Sequence, residues 1–128
     1  SEAALKMMEI AYLPCIAYPG GELKHGPIAL IEEGTPVIAI APDDSHYPKM
    51  EANIRECASR GANVILVTNR ETSVEDYCAR VIRTPPTDPF LSPFMSIMPL
   101  HLLAYHLAVR LGRNVDRPRN LAKSVTVV

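Results

Sequence analysis

No CxxC pair, no Cys/His metal spacing and no run of like charge occurs in this 128-residue chain. Its three cysteines, Cys15, Cys57 and Cys78, are odd in number and widely spaced. That argues against a paired disulfide framework and against a metal centre. They read as buried or partly buried free thiols in a reducing cytosol. The 13 basic and 14 acidic residues are mixed along the chain and leave a net charge of −1. Such a balance supports neither a nucleic-acid groove nor a membrane-surface patch. No stretch has the parts of a secretory signal peptide. Only residues 91–111 form a long apolar stretch, and Pro93, Pro99, His101, His106 and Arg110 interrupt it. A transmembrane helix should carry fewer such breaks, so a buried helix of a soluble protein is expected there. There is no internal repeat, no GxxxxGK[ST] loop and no serine-rich helix start that would hold a phosphate.

What is present is a chain that can fold around a core. Hydrophobic residues make up 48 %, which suits packing rather than disorder. The length suggests one domain, or one half of a pseudo-symmetric pair. The chain opens in a helix with Leu5, Met8 and Tyr12 at helical spacing, widened by Ala4, Met7 and Ala11 and ended by Pro14. Pro19-Gly20-Gly21 is a turn. A short helix over residues 22–29 must break at Gly26-Pro27. Residues 36–42, Pro-Val-Ile-Ala-Ile-Ala-Pro, are a continuous apolar run, the pattern of a strand buried on both faces of a parallel sheet. A helix over residues 47–60 follows, with Ser45 as N-cap and Gly61 as C′ residue. Residues 62–68 form a second buried strand. Thr72-Ser73-Val74-Glu75 has capping-box spacing and opens a short helix to Ala79. Residues 80–84 form a third strand, and 85–89 a proline-rich linker. Ser92 and Pro93 then start a long helix that stops at Gly112. Strand and helix in alternation predict α/β architecture with a parallel sheet.

Three places can carry chemistry. Lys6 and Glu9 are three apart on a helix and share a face. By residue type alone they read as an exposed ion pair worth a few tenths of a kcal/mol, with Glu2 as a second partner for Lys6 at i, i+4. His25 sits beside Gly26-Pro27 and by itself reads as a surface or capping residue. An imidazole is also suited to moving a proton near neutral pH. Lys123 is a lone lysine in a short β-branched tail. It is ordinarily a solvated residue, and a nucleophile if its pKa is lowered. His101 and His106 are five apart, off zinc spacing, and read as packing or interface residues.

Three segments taken together narrow these alternatives: Glu2-Ala3-Ala4-Leu5-Lys6-Met7-Met8-Glu9-Ile10-Ala11-Tyr12, Glu22-Leu23-Lys24-His25-Gly26-Pro27, and Asp116-Arg117-Pro118-Arg119-Asn120-Leu121-Ala122-Lys123-Ser124-Val125-Thr126-Val127. They resemble the glutamine–fructose-6-phosphate aminotransferase family over essentially the whole chain, at the second sugar-isomerase (SIS) half of its isomerase domain. The resemblance implies a three-layer SIS, flavodoxin-like parallel sheet with flanking helices, truncated at its amino-terminal side. It also implies a partial second SIS subdomain over 1–128, with a catalytic tail at about 113–128. It makes Glu9 the acid–base carboxylate that moves a proton between C1 and C2 of the sugar, with Lys6 assisting. His25 becomes the ring-opening imidazole, supplied to the partner subunit's site in a homodimer. Lys123 becomes the Schiff-base lysine, with Ala122 beside it against substrate, and Arg119 couples the tail to the glutaminase half. The implied substrate and product are fructose 6-phosphate and glucosamine 6-phosphate, with no cofactor and a cytoplasmic location. The implied glutaminase domain and the first SIS half, with its phosphate-holding loops, lie outside this sequence, so the segment alone is expected to be inactive. Two other readings stay open. One is a non-catalytic SIS module that senses a sugar phosphate, which would not need Lys123. The other is a related phosphosugar isomerase or deglycase.

Overall fold

The computed structural model describes residues 1–74 and 76–121. Its elements are α1 (Glu2–Lys6), a π-helical turn (Met7–Ala11), 3-10 turns at Gly20–His25 and Pro27–Leu30, β1 (Pro36–Ile40), α2 (Tyr47–Ala58), β2 (Asn63–Thr68), β3 (Arg80–Arg83) and α3 (Ser92–Arg110). The chain divides into two compact units. One is Tyr18–Ser96, and the other joins Ser1–Ala17 with Ile97–Val128.

The first unit holds the sheet, in order β1-β2-β3. Both pairings are parallel, with Ile38 opposite Ile65 and Val67 opposite Ile82. The central strand is the most apolar, and Val64, Leu66 and Val67 on it are almost fully buried. The core joins Ala39, Ala41, Val64 and Leu66 of the sheet to Tyr47, Ile54 and Cys57 of α2, with Val74 and Cys78 beside them. Burial makes Cys57 harder to ionise and pushes its thiol pKa up. Leu66→Ala should cost about 2–5 kcal/mol, because a fully enclosed leucine leaves a cavity that a parallel strand cannot close. Urea unfolding of wild type and variant measures it directly.

Several details differ from the sequence reading. β1 is not buried on both faces. It is an edge strand, and Ile40 at its end is 39 % exposed. Ser45 does not cap α2. The Asp44 carboxylate accepts the His46 N–H at 2.7 Å, closing the chain one residue later, and His46 takes the N-cap position. The far end behaves as expected. Gly61 has φ +87°, and the Ala62 and Gly61 amides donate to the Cys57 and Ala58 carbonyls at 3.2 and 2.9 Å.

The helix expected after Thr72 is reduced, among the described residues, to one turn in which the Cys78 N–H donates to Val74 O at 2.8 Å. Tyr77 explains that outcome. Its hydroxyl donates to Glu51 Oε1 at 3.0 Å and its ring lies 3.8 Å from the Arg55 guanidinium. Both partners are on α2, so tertiary contact overrides the local capping signal. Burial, then the hydrogen bond to Glu51, raises the Tyr77 pKa. The Arg55 and Tyr77 hydrogen bonds hold Glu51 below the ordinary carboxylate range.

α3 is not wrapped in protein. Ser92, Ser96, Leu100, Ala104 and Ala108 recur every four residues as its buried stripe, while Phe94, Met98, Leu102, Tyr105 and Val109 are exposed. The small residues on the buried side permit close approach, and the large ones lie on the other face. By length and composition alone α3 could cross a membrane, a test that core helices of soluble proteins also pass. On α1 and the π-turn the buried side is Ala4, Met7 and Ala11, with Leu5 and Met8 exposed. The residues expected to widen the apolar face are therefore its centre.

Candidate active site

The amino-terminal helix does not run as a regular α-helix to Pro14. It changes to a π-turn at Met7, and the Tyr12 N–H closes the turn on the Met7 carbonyl, five residues back. Such turns carry one residue more than α pitch allows and are frequent where a side chain must be re-aimed for function. Glu9 lies at the centre of this one. Tyr12 then takes a left-handed conformation, φ 59° and ψ 33°, which costs a non-glycine residue roughly 1–2 kcal/mol.

Lys6 Nζ donates to Glu9 Oε2 at 2.6 Å, and Glu2 Oε1 lies 3.7 Å from the same ammonium. The carboxylate–ammonium hydrogen bond with Glu9 raises the Lys6 pKa first, and the charges of Glu9 and Glu2 add to it. The sign is fixed by that direction. The pair's contribution is complete below the ordinary lysine pKa and is lost as pH rises through the raised value. Both side chains are partly exposed, 34 % for Lys6 and 26 % for Glu9, so each can reach a ligand. A carboxylate that can take a proton beside an ammonium that can offset developing negative charge is the minimum set for proton transfer next to a carbonyl.

His101, expected to be a packing residue, is half exposed instead. Its Nε2 lies 3.3 Å from Glu2 Oε1, which extends the charged row to His101–Glu2–Lys6–Glu9. His106 is exposed and meets Tyr105 edge-on, with ring centroids 5.3 Å apart.

His25 belongs to the Tyr18–Ser96 unit. It is the last residue of the 3-10 turn Gly20–His25, and its side chain is exposed. Two neighbours fix that turn. Leu23 packs on the sheet core, and Lys24 Nζ pairs with Glu56 Oε2 of α2 at 2.9 Å. Gly26 follows with φ +139°, a conformation that a side chain would strain, and Pro27 starts the next turn. The Gly-Pro pair thus ends one turn and begins another, leaving the imidazole at the junction.

Arg119 lies in the same unit as Lys6 and Glu9. Its backbone N–H donates to the Tyr12 hydroxyl at 2.9 Å, and its guanidinium stands 4.1 Å from the centre of the Tyr12 ring. Arg113 contacts the same ring at 5.3 Å. Upstream, the Asn114 side-chain oxygen accepts the Asp116 and Arg117 amides at 3.0 and 3.1 Å. Ala122 and Lys123 lie outside the described residues.

Sequence reasoning passed over Tyr12, Glu2 as a partner of His101, and a further feature of the sheet. A cleft of about 140 Å³ opens past the ends of β1 and β2, lined by Asp43, Asp44, Asn69 and Ser92 among others. The carboxyl ends of parallel strands are the usual place for such a crevice. None of Lys6, Glu9 and His25 lines it. The repeated arginine and tyrosine of the first and last segments were a legible hint of the Tyr12 contacts. The π-turn had no sequence signal.

The SIS domain family model matches residues 1–111. The chain is 50 % identical over 127 residues to a glutamine–fructose-6-phosphate aminotransferase [isomerizing] from Thermus thermophilus, covering 98 % of this chain and 21 % of that protein. It therefore spans about a fifth of the length of such relatives. Among solved structures, it superposes on the C-terminal domain of glucosamine-fructose-6-phosphate aminotransferase from Francisella tularensis with a TM-score of 0.83 and 37 % identity, over 91 % of this chain and 33 % of that one. It also superposes on a glucosamine-6-phosphate deaminase from Thermotoga maritima with a TM-score of 0.72 and 28 % identity, over 97 % and 35 %. With a parallel sheet, matching strand order and a family match that takes in every helix and strand described above, the chain belongs to the SIS domain family.

Proposed function

We propose that this chain is part of the isomerase domain of a glutamine–fructose-6-phosphate aminotransferase. The longer cytoplasmic protein would convert fructose 6-phosphate and glutamine-derived ammonia to glucosamine 6-phosphate. The observation that carries this reading is the Lys6–Glu9 pair at 2.6 Å, half-exposed on a π-turn, in a chain half identical to such enzymes.

In this reading His25 opens the sugar ring by moving a proton between ring and chain oxygens. Lys123 attacks C2 of the open ketose, and loss of water leaves an iminium that acidifies the C1 protons. Glu9 takes a proton from C1 and returns it to C2, while the Lys6 ammonium holds charge on oxygen. Ala122 lies against substrate beside Lys123. Arg119 links the tail to a glutaminase domain, and the first SIS half supplies the phosphate contacts. Neither metal nor organic cofactor is needed for these steps.

Because His25 and the Lys6–Glu9 pair lie in different units, we assign His25 to the site of the partner subunit in a homodimer. Complementation tests this in the longer enzyme. His25→Ala and Glu9→Gln should each be nearly inactive when pure. Mixed after subunit exchange, they should regain up to about a quarter of wild-type activity, because half the dimers are hybrids with one intact site. Mixing without any recovery would sink the trans assignment. Absence of glucosamine 6-phosphate from the unmutated enzyme would sink the function.

A further inference from the structure

We infer that Tyr12 is a positioning residue that ties the base of the carboxyl-terminal segment to the end of the π-turn carrying Glu9. Three contacts from far downstream converge on one side chain. The Tyr12 hydroxyl accepts the Arg119 backbone N–H at 2.9 Å, across 107 positions of sequence. The Arg119 guanidinium stacks on the ring at 4.1 Å, and Arg113 approaches it at 5.3 Å. The residue making these contacts is itself held at φ 59°. Only a few per cent of non-glycine residues adopt such a conformation, and they cluster where the surroundings over-determine them.

The left-handed step has a use here. It closes the π-turn on Met7 O and ends the helix, so that Tyr12 is available to Arg119. Glu9 precedes Tyr12 by three residues, and Lys123 follows Arg119 by four. Four residues of extended chain reach at most ~14 Å, so an anchor at Arg119 limits how far Lys123 can stray from it. Part of this inference stands on the contacts alone. The catalytic consequence, that Tyr12 sets how often Lys123 meets substrate, rests on the function proposed above.

The test uses the full-length enzyme and two variants. Tyr12→Phe keeps the ring and removes the acceptor. Tyr12→Asn removes the ring but tolerates the left-handed backbone, so it does not add strain. Limited trypsin digestion read by mass spectrometry follows cleavage after Arg119. Tyr12→Phe should accelerate it about fivefold, the opening expected from one lost hydrogen bond. Tyr12→Asn should accelerate it tenfold or more, by order of magnitude, as the cation–π contacts go as well. Unchanged melting temperature for Tyr12→Phe confirms that the effect is local. Borohydride capture of fructose 6-phosphate at Lys123 should fall in the same order. Cleavage after Arg119 at the wild-type rate in both variants would overturn the inference. Faster cleavage in variants of an enzyme whose wild type gives no capture at Lys123 would support the anchor and refute the Schiff-base assignment.

Discussion

Lys123→Arg, made in the full-length enzyme, should abolish borohydride capture of fructose 6-phosphate and reduce synthase turnover to a small residue. Arginine keeps the positive charge and the approximate reach of lysine. Its guanidinium stays protonated and cannot form the iminium. Any effect of charge or packing at this position would therefore survive the change, and only the covalent step would be lost. Glutamine hydrolysis should continue, because it requires none of the residues described here. Lys24→Arg is the control. Lys24 lies next to His25 but is engaged with Glu56, an ion pair that arginine can also make. Intact capture and turnover in Lys123→Arg, with the sugar adduct found on Lys6 or Lys24, would show that the tail lysine is not the nucleophile.

Glu9→Gln should lower isomerisation by roughly 10²–10⁴-fold, the range that a positioned general base supplies. Glutamine fills the same space but cannot take a proton from C1. Two readouts separate chemistry from structure. Borohydride capture at Lys123 should persist, since the Schiff base forms before Glu9 is needed. Solvent deuterium incorporation at C1 and C2 should disappear. Lys6 will also respond. Without Glu9 its pKa loses the hydrogen bond that contributes most to raising it, so an alkaline limb of the rate profile that belongs to Lys6 should move to lower pH. Deuterium exchange at the wild-type rate in Glu9→Gln would remove Glu9 from the role of base.

The architecture was largely legible because the strands announce themselves. The runs at residues 36–42 and 62–68 lack alternation, and only a parallel sheet has use for that pattern. The edge position of β1 was not legible, since strand order follows from tertiary pairing. The short helix after Thr72 failed for a similar reason. Tyr77 finds Glu51 and Arg55 on α2, and no local propensity reports a partner 26 residues away. On the site, the Lys6–Glu9–Glu2 grouping follows from helical spacing alone, and the geometry agrees. Chain spacing gave no access to His101 at Glu2 or to Arg119 on Tyr12, each about a hundred positions apart. The long helix was misjudged because hydropathy counts apolar residues without saying which side they take. Its small residues face inward and its large ones outward.

The π-turn at Met7–Ala11 makes this stretch sensitive to length in a way that substitution does not reveal. Each residue of an α-helix advances the face by about 100°. Removing one residue from the turn would restore ordinary pitch and leave every hydrophobic contact chemically possible. It would also swing all that follows by that angle relative to Lys6. Tyr12 would then present a different side to Arg119, and Glu9 a different side to its lysine. The spacing between Lys6 and Tyr12 is therefore a mechanical dimension of the molecule, as binding on function as the identity of the residues at its ends.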